Sequence, residues 1–113
     1  MTDREMLELA AKALGMPEAP KQYRIADGLP IVITYMGKPW NPLTDDGDAL
    51  RLAVELRIKV EFGNDEVATD WPVSERYTTR PDGASSIEGR CAATRRAIVR
   101  AAAEIGRQME VQS

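Results

Sequence analysis

Three aspartates that stand close together are the nearest approach to a metal site in this sequence. Asp45, Asp46 and Asp48 occupy one short segment, and carboxylate oxygens are the ligands that Ca²⁺ and Mg²⁺ prefer. Their spacing differs from the EF-hand loop, in which ligands alternate and a glutamate occupies the twelfth position. A helix is predicted to begin at the same point, where carboxylates cap free N–H groups and complement the helix dipole. We favour this structural role and predict no metal ligand.

Groups that could perform catalysis are scarce in the rest of the chain. Histidine is absent and Cys91 is the only cysteine, so the commonest general base is missing and no internal disulfide can form. A cysteine attacks as a thiolate, which needs a base or strongly positive surroundings. Cys91 falls on the apolar face of a predicted helix, where a free cysteine is usually buried and inert. The sequence therefore predicts a protein that is not an enzyme and that uses no cofactor.

Arginines on one side of the last predicted helix are candidates for contact with a partner. At about 100° of rotation per residue, Arg96, Arg100 and Arg107 lie nearly opposite the apolar stripe of that helix. They are suited to phosphate groups or to an acidic protein, although exposed helix faces are commonly charged for solubility alone. Arg100 can also pair with Glu104, four residues further on. A solvated face is the favoured interpretation, and partner binding is the alternative.

Two tryptophans are candidates for a binding surface, because tryptophan is enriched at the energetic centre of interfaces. Trp71 follows the alternation of a predicted strand, and Trp40 precedes the second predicted helix. Core packing is the favoured prediction for both, with an exposed anchor as the alternative. The possible partner-binding residues are Trp40, Arg96, Arg100 and Arg107.

The net charge of −3 is unevenly distributed along the chain. Residues 90–113 contain five arginines and two glutamates, which gives +3 and leaves −6 for residues 1–89. A dedicated duplex-DNA binder normally has a clear basic excess on one face. A nucleic acid is therefore a disfavoured partner, and an unidentified protein is the favoured one.

Three helices are predicted from apolar residues at helical spacing. The first runs from about Asp3 to Leu14, because Thr2 and Glu5 fit a capping box. The second runs from Thr44 or Asp45 to about Leu56. Its apolar face is formed by Ala49, Leu52, Ala53 and Leu56. Leu50 and Val54 widen that face, so deep packing is expected.

The third and clearest helix is predicted from about Arg90 to Met109. Its apolar stripe consists of Cys91, Ile98, Ala102, Ile105 and Met109. Several alanines stand beside the arginines and would permit close approach of another helix. These are Ala92, Ala93, Ala97, Ala101 and Ala103.

Strands are predicted between and after the first two helices. A short strand is expected at residues 23–25, and a central strand covered on both faces at 31–36. Residues 38–42 contain two prolines and are expected to form a constrained loop. Residues 58–62 and 67–71 alternate in polarity around the turn residues Gly63, Asn64 and Asp65, which predicts a hairpin. Residues 72–88 show no clear period and predict a long surface loop.

One domain spanning residues 1–113 is the expectation from length and composition, since 43% apolar and 29% charged residues are ordinary for a globular protein. The pattern predicts an α+β fold. No apolar run approaches the roughly 20 residues that cross a bilayer, and the start lacks the features of a signal peptide. A cytoplasmic protein is expected.

Three stretches together resemble small phage and prophage proteins that carry the phage ABA sandwich domain. They are MTDREMLELAAKA at 1–13, WNPLTDDGDALRLAV at 40–54 and AATRRAIVRAAAEIG at 92–106. The resemblance follows the chain in order from one end to the other. It implies a three-layer α-β-α sandwich around a small, mostly antiparallel sheet, and a bacteriophage or prophage origin in a bacterial host cytoplasm. It supplies no catalytic residues.

Three hypotheses for function follow. The first is a non-enzymatic bacteriophage accessory protein that binds a host or phage protein, with inhibition of a host defence system as one such role. The second is a virion or assembly component that acts as a homo-oligomer through the alanine-rich face. The third and least favoured is a metal-dependent hydrolase or nuclease that uses the three aspartates.

Overall fold

The structure is a computed structural model, and it describes residues 2–15, 22–23, 32–35, 38–63, 66–71, 75–78 and 87–112. In chain order the elements are α1 (Asp3–Ala13), β1 (Gln22–Tyr23), β2 (Val32–Tyr35), β3 (Lys38–Trp40), α2 (Asp46–Leu56), β4 (Lys59–Phe62), β5 (Glu66–Trp71), β6 (Glu75–Thr78) and α3 (Ile87–Gln112). Helices and antiparallel strands occur together, so the prediction of an α+β fold with three helices is confirmed for this part of the chain.

The described strands form two antiparallel sheets, where the sequence predicted one. Their orders are β1-β2-β3 and β4-β5-β6. β2 pairs with a neighbour on each edge, which confirms the predicted central strand; its cover on both faces concerns side chains outside the described ones. The predicted hairpin is also confirmed, because β4 pairs with β5 and the Gly63 N–H donates to the Glu66 carbonyl at 2.8 Å.

Two segments that were predicted as loops contribute strands instead. Residues 38–40 pair with β2 as the edge strand β3, with Pro39 opposite Thr34. An edge strand uses only one row of backbone hydrogen bonds, so it tolerates a residue that has no N–H. Residues 75–78 form β6 and pair with β5, which supplies backbone partners that the proposed surface loop would lack. The remainder of 72–86 lies outside the described residues.

Side-chain caps fix the starts of the first two helices. The Thr2 hydroxyl accepts a hydrogen bond from the Glu5 N–H at 3.1 Å, and α1 runs from Asp3 to Ala13 as predicted within one residue. Asp45 caps α2 by accepting from the Asp48 N–H at 2.8 Å. Each cap satisfies an N–H that has no partner inside the helix.

α3 is the central element of the described fold, because it contacts α1, α2, β5 and β6. It begins three residues earlier and ends three later than predicted, at Ile87 and Gln112. Its middle is fully buried at Ala97, Val99 and Ala101 to Ala103. Three of these alanines belong to the face that was considered for self-association, whereas Ala92 is exposed. Most of that face therefore packs inside the chain.

α1 and α3 approach each other almost backbone to backbone at Gly106. A Cβ placed on Gly106 would overlap the Leu9 carbonyl group and come within 3.1 Å of the Leu9 Cα. Ala10, Ala11, Ala102 and Ala103 have no exposed surface and belong to the same core cluster. Small side chains on both helices thus set the short distance between them.

We expect Gly106→Ala to lower the free energy of unfolding by about 1–3 kcal/mol, because the added methyl group must push two backbones apart in a close-packed interior. The same change in an open helix position would stabilise by up to about 1 kcal/mol. Gly47→Ala in α2 is the matched control, since its Cβ would meet only the ends of the Asp45 and Arg51 side chains, at 3.2 and 3.3 Å. Urea unfolding of the three proteins measures both effects, and equal stability of the two variants would contradict the close contact.

Candidate functional site

Asp45 and Asp48 are occupied by structural contacts at the start of α2. Asp45 is the helix cap, which confirms its predicted role. Asp48 accepts from the Asn41 backbone N–H at 3.0 Å and forms an ion pair with Arg51 at 2.7 Å. Within the described residues, no group of three or more Asp, Glu, Cys or His side chains is placed to hold a metal ion.

Asp46 takes part in a link between α2 and α3 that the sequence did not indicate. Its Oδ1 lies 2.6 Å from the Arg95 guanidinium, whose Nε donates to the Leu43 carbonyl at 2.8 Å. The Arg95 side chain is only 19% exposed, so its hydrogen bonds are largely shielded from water. Arg95 therefore fixes the beginning of α2 against α3.

The arginine stripe of α3 is engaged with carboxylates of the same chain. Arg96 pairs with Asp3 of α1 at 3.2 Å. Arg100 pairs with Glu104 at 3.2 Å, as predicted from their spacing, and Arg107 pairs with the same carboxylate at 2.7 Å. These contacts give the stripe an internal role and reduce the charge that it offers to a partner.

Glu104 is a buried carboxylate held between two arginines. Only 6% of the residue is exposed. The side-chain hydrogen bond from Arg107 lowers the pKa of Glu104 below its usual value; burial acts in the opposite direction, and the hydrogen bond from Arg100 adds to the lowering. The ionised form is therefore favoured in the folded state.

Trp40 lies in the core rather than on the surface. It is 6% exposed and belongs to the cluster formed with all three helices. The favoured prediction of core packing is confirmed for this residue, and it does not form an exposed anchor. Trp71 ends β5, and its side chain lies outside the described ones.

An open apolar groove lies between α2, β4 and the first half of α3, with a volume of about 890 Å³. Its apolar lining residues are Ala49, Leu50, Ala53, Val54, Ile58, Val60, Phe62, Ile87, Cys91 and Ile98. Its polar lining residues are Asp46, Arg57, Arg90, Thr94 and Arg95. Asp46 begins α2 and Arg57 follows its last residue. The groove therefore follows the whole helix, a length of about 16 Å at 1.5 Å per residue.

The groove exposes apolar side chains that were predicted to be buried. Leu50 is 63% exposed and Val54 68%, so the expected deep packing of α2 is wrong for this side of the helix. On β4, Phe62 is 72% exposed, although it continues the apolar alternation from buried Ile58. Large apolar residues are usually buried where neighbours are available. Here the described part of α3 does not cover these side chains of α2 and β4.

The spacing of the apolar residues in α2 contains a signal for this groove that the prediction of one wide buried face does not use. At about 100° per residue, Leu50 and Val54 point at least 60° away from Ala49, Leu52 and Ala53. A single neighbouring helix covers only one stripe of another helix. Burial of both apolar arcs of α2, the one at Leu52 and the one at Leu50 and Val54, would thus need two different packing elements.

Cys91 forms part of the groove wall. It is half-buried, so the prediction of a buried thiol is wrong. Cys91 shares the lining of the groove with Leu50 and Val54, which are themselves largely exposed, so this part of the wall is open to solvent. As the only cysteine of the chain, it offers a chemical label inside the groove.

Comparisons of the chain with protein-family models, with curated proteins and with solved structures gave no match. The resemblance to phage ABA sandwich proteins therefore stays a prediction based on the three sequence stretches. Among the described helices, none combines the length and apolar character that a membrane span requires.

The lowered pKa of Glu104 predicts a pH-dependent contribution to stability. The contribution is fully present above the unfolded-state pKa of about 4.3 and is lost as the pH falls through the lower folded-state pKa. We expect Glu104→Gln to cost about 1–3 kcal/mol at pH 7, because two charge-assisted hydrogen bonds are weakened, and progressively less in acid. Glu8→Gln, in the exposed pair with Arg4, is the control and should cost under about 1 kcal/mol. Urea unfolding between pH 7 and pH 3 provides the test; a Glu104→Gln penalty that does not change with pH would contradict the assignment.

Proposed function

We propose that this chain is a non-enzymatic binding protein that recognises a helical segment of another protein through the groove beside α2. The observation that carries the proposal is the concentration of exposed apolar surface. Of the five large apolar side chains that are exposed in the described part of the chain, four line this groove: Leu50, Val54, Phe62 and Ile87. Leaving such a side chain in water forgoes roughly 1.5–3 kcal/mol, and a contiguous apolar patch with a polar rim is typical of an interaction site.

The form of the groove favours a protein segment over a small molecule. Its volume of about 890 Å³ falls within the range of small-ligand sites, but such sites enclose most of their ligand. Here the four large lining residues are 63–77% exposed, so the walls are open. A length of about 16 Å corresponds to about three helical turns. An amphipathic helix that places apolar residues at i, i+3, i+4 and i+7 would fit this shape.

The absence of catalytic machinery supports binding over chemistry. The chain lacks histidine, and the three aspartates are engaged as a cap and in ion pairs with arginines. A metal-dependent hydrolase would need these carboxylates to be free to coordinate a cation. The third hypothesis thus has the least support.

The resemblance to phage proteins supports the biological setting of this proposal. In that setting the chain is a bacteriophage or prophage accessory protein in the cytoplasm of a bacterial host, and its partner is a host or phage protein, for example a component of a defence system. A three-layer α-β-α sandwich is part of the same proposal. Self-association as an assembly component is the competing function, and it would have to use the groove, because most of the alanine face is buried.

Quantitative affinity capture tests the proposal. The tagged chain is incubated with extract of bacterial host cells, and retained proteins are compared with those retained by Val54→Lys combined with Phe62→Lys. Both side chains are largely exposed, so the fold should remain intact. We expect a partner whose recovery falls at least about tenfold in the variant, as for loss of central interface residues.

The control adds two lysines outside the groove, at exposed Gln108 and Met109. It should retain the partner, and the bound partner should slow the reaction of Cys91 with a thiol reagent. If no protein is enriched on the original chain over the groove variant, or if both variants lose the partner equally, the proposal is wrong.

A further inference from the structure

We infer that, in the absence of a partner, the groove is filled by α2 of a second copy of this chain, which runs antiparallel to the first. The free protein is then a symmetric dimer in which each copy supplies one helix and receives one. The inference rests on the proposed function and adds its regulation, because a partner helix has to displace the second copy before it can bind.

α2 itself has the form of the helix that the groove requires. It contains 11 residues, which is about three turns, and the groove follows it along its whole length. Its outward arc presents Leu50 and Val54, both largely exposed. In a symmetric pair these side chains enter the groove of the other copy, where Phe62 and Ile87 are exposed lining residues. Four large apolar side chains of each copy thereby leave water together, which favours association.

The charged residues at the two ends of α2 favour the antiparallel direction. Asp46 lines the groove where α2 begins, and Arg57 lines it directly after the last residue of α2. Two parallel copies would bring Arg57 against Arg57. Two antiparallel copies bring it towards Asp46, whose side chain is 66% exposed, and they place opposite ends of the two helix dipoles side by side. The antiparallel pair is therefore the more favourable one.

The two exposed apolar residues of α2 set the register of the pair. A two-fold axis level with position 52, midway between them, places Leu50 of one copy against Val54 of the other. The same axis places Arg57 opposite Gly47, which has no side chain. A Cβ built at Gly47 would lie 3.3 Å from the Arg51 guanidinium. Arg51 therefore lies beside the incoming Arg57 and opposes the attraction, so the two arginines should affect the dimer in opposite directions.

Sedimentation velocity of the full chain over a range of concentrations tests the inference. We expect a monomer–dimer equilibrium with a Kd of about 1–100 µM, since one helix and one groove from each copy form a small, transient type of interface. The reaction of Cys91 with a thiol reagent should slow as the concentration of the chain rises, because Cys91 lines the groove. Val54→Lys should raise the Kd at least about tenfold. Met109→Lys, at an exposed residue outside the groove, is the matched control and should leave it unchanged.

Arg57→Gly and Arg51→Ala test the direction of the helices, because each variant removes one positive charge from the same part of the chain. Arg57→Gly should weaken the dimer about threefold at low salt, and Arg51→Ala should strengthen it about twofold, with both effects reduced at 1 M salt. Glycine adopts the left-handed conformation of Arg57, at φ 58°, more readily than arginine does, so the fold should remain intact, as thermal melting can verify. Changes of both variants in the same direction would overturn the antiparallel pair.

The remaining outcomes distinguish the inference from the proposed function. A chain that stays monomeric throughout would overturn the inference, and capture of a partner by that chain would leave the proposed function intact. A dimer that Val54→Lys does not weaken would lie on another surface and would also overturn the inference. A groove dimer from which no partner is recovered would support the inference and overturn the proposed function in favour of self-association.

Discussion

The close contact between α1 and α3 at Gly106 is the constraint on which the described fold depends. The backbone of Leu9 occupies the space that a Cβ at position 106 would need, and the neighbouring core residues are alanines without exposed surface. Small residues let two helices approach closely, and the gain is dispersion contact along both backbones. Since α3 also contacts α2, β5 and β6, its position relative to α1 determines where the other elements can pack.

The groove is a consequence of how α2 is attached to α3. Arg95 joins the start of α2 to α3 through Asp46 and the Leu43 carbonyl, and such directed hydrogen bonds fix orientation as well as distance. With α2 in this orientation, Ala49, Leu52 and Ala53 face the core. The opposite apolar arc is left beside β4, where no described element covers it. A structural ion pair thereby produces a surface suited to binding.

Local features of the fold could be predicted because their causes lie within a few residues. The caps at Thr2 and Asp45 each involve an N–H three residues later, and the Gly63 N–H donates to the Glu66 carbonyl, also three residues later. The errors arose where a segment without an alternating pattern becomes a strand by pairing with the strand that precedes it. The strand at Lys38–Trp40 forms because β2 offers an edge to it, and the strand at Glu75–Thr78 forms because β5 does. A proline-rich or irregular sequence does not reveal such an edge.

The sequence by itself determined the α+β class, the ends of α1 and α2 within about a residue, the hairpin, the capping role of Asp45 and the core position of Trp40. Only the tertiary structure decided which apolar residues remain exposed. A helical pattern shows how the apolar residues of α2 are distributed around its axis, but burial depends on how many neighbours reach each side. Leu50, Val54 and Phe62 stay largely exposed, because the described neighbours cover only a minor part of each side chain. The candidate site therefore came from the packing of α2, β4 and α3, and from no motif in any one of them.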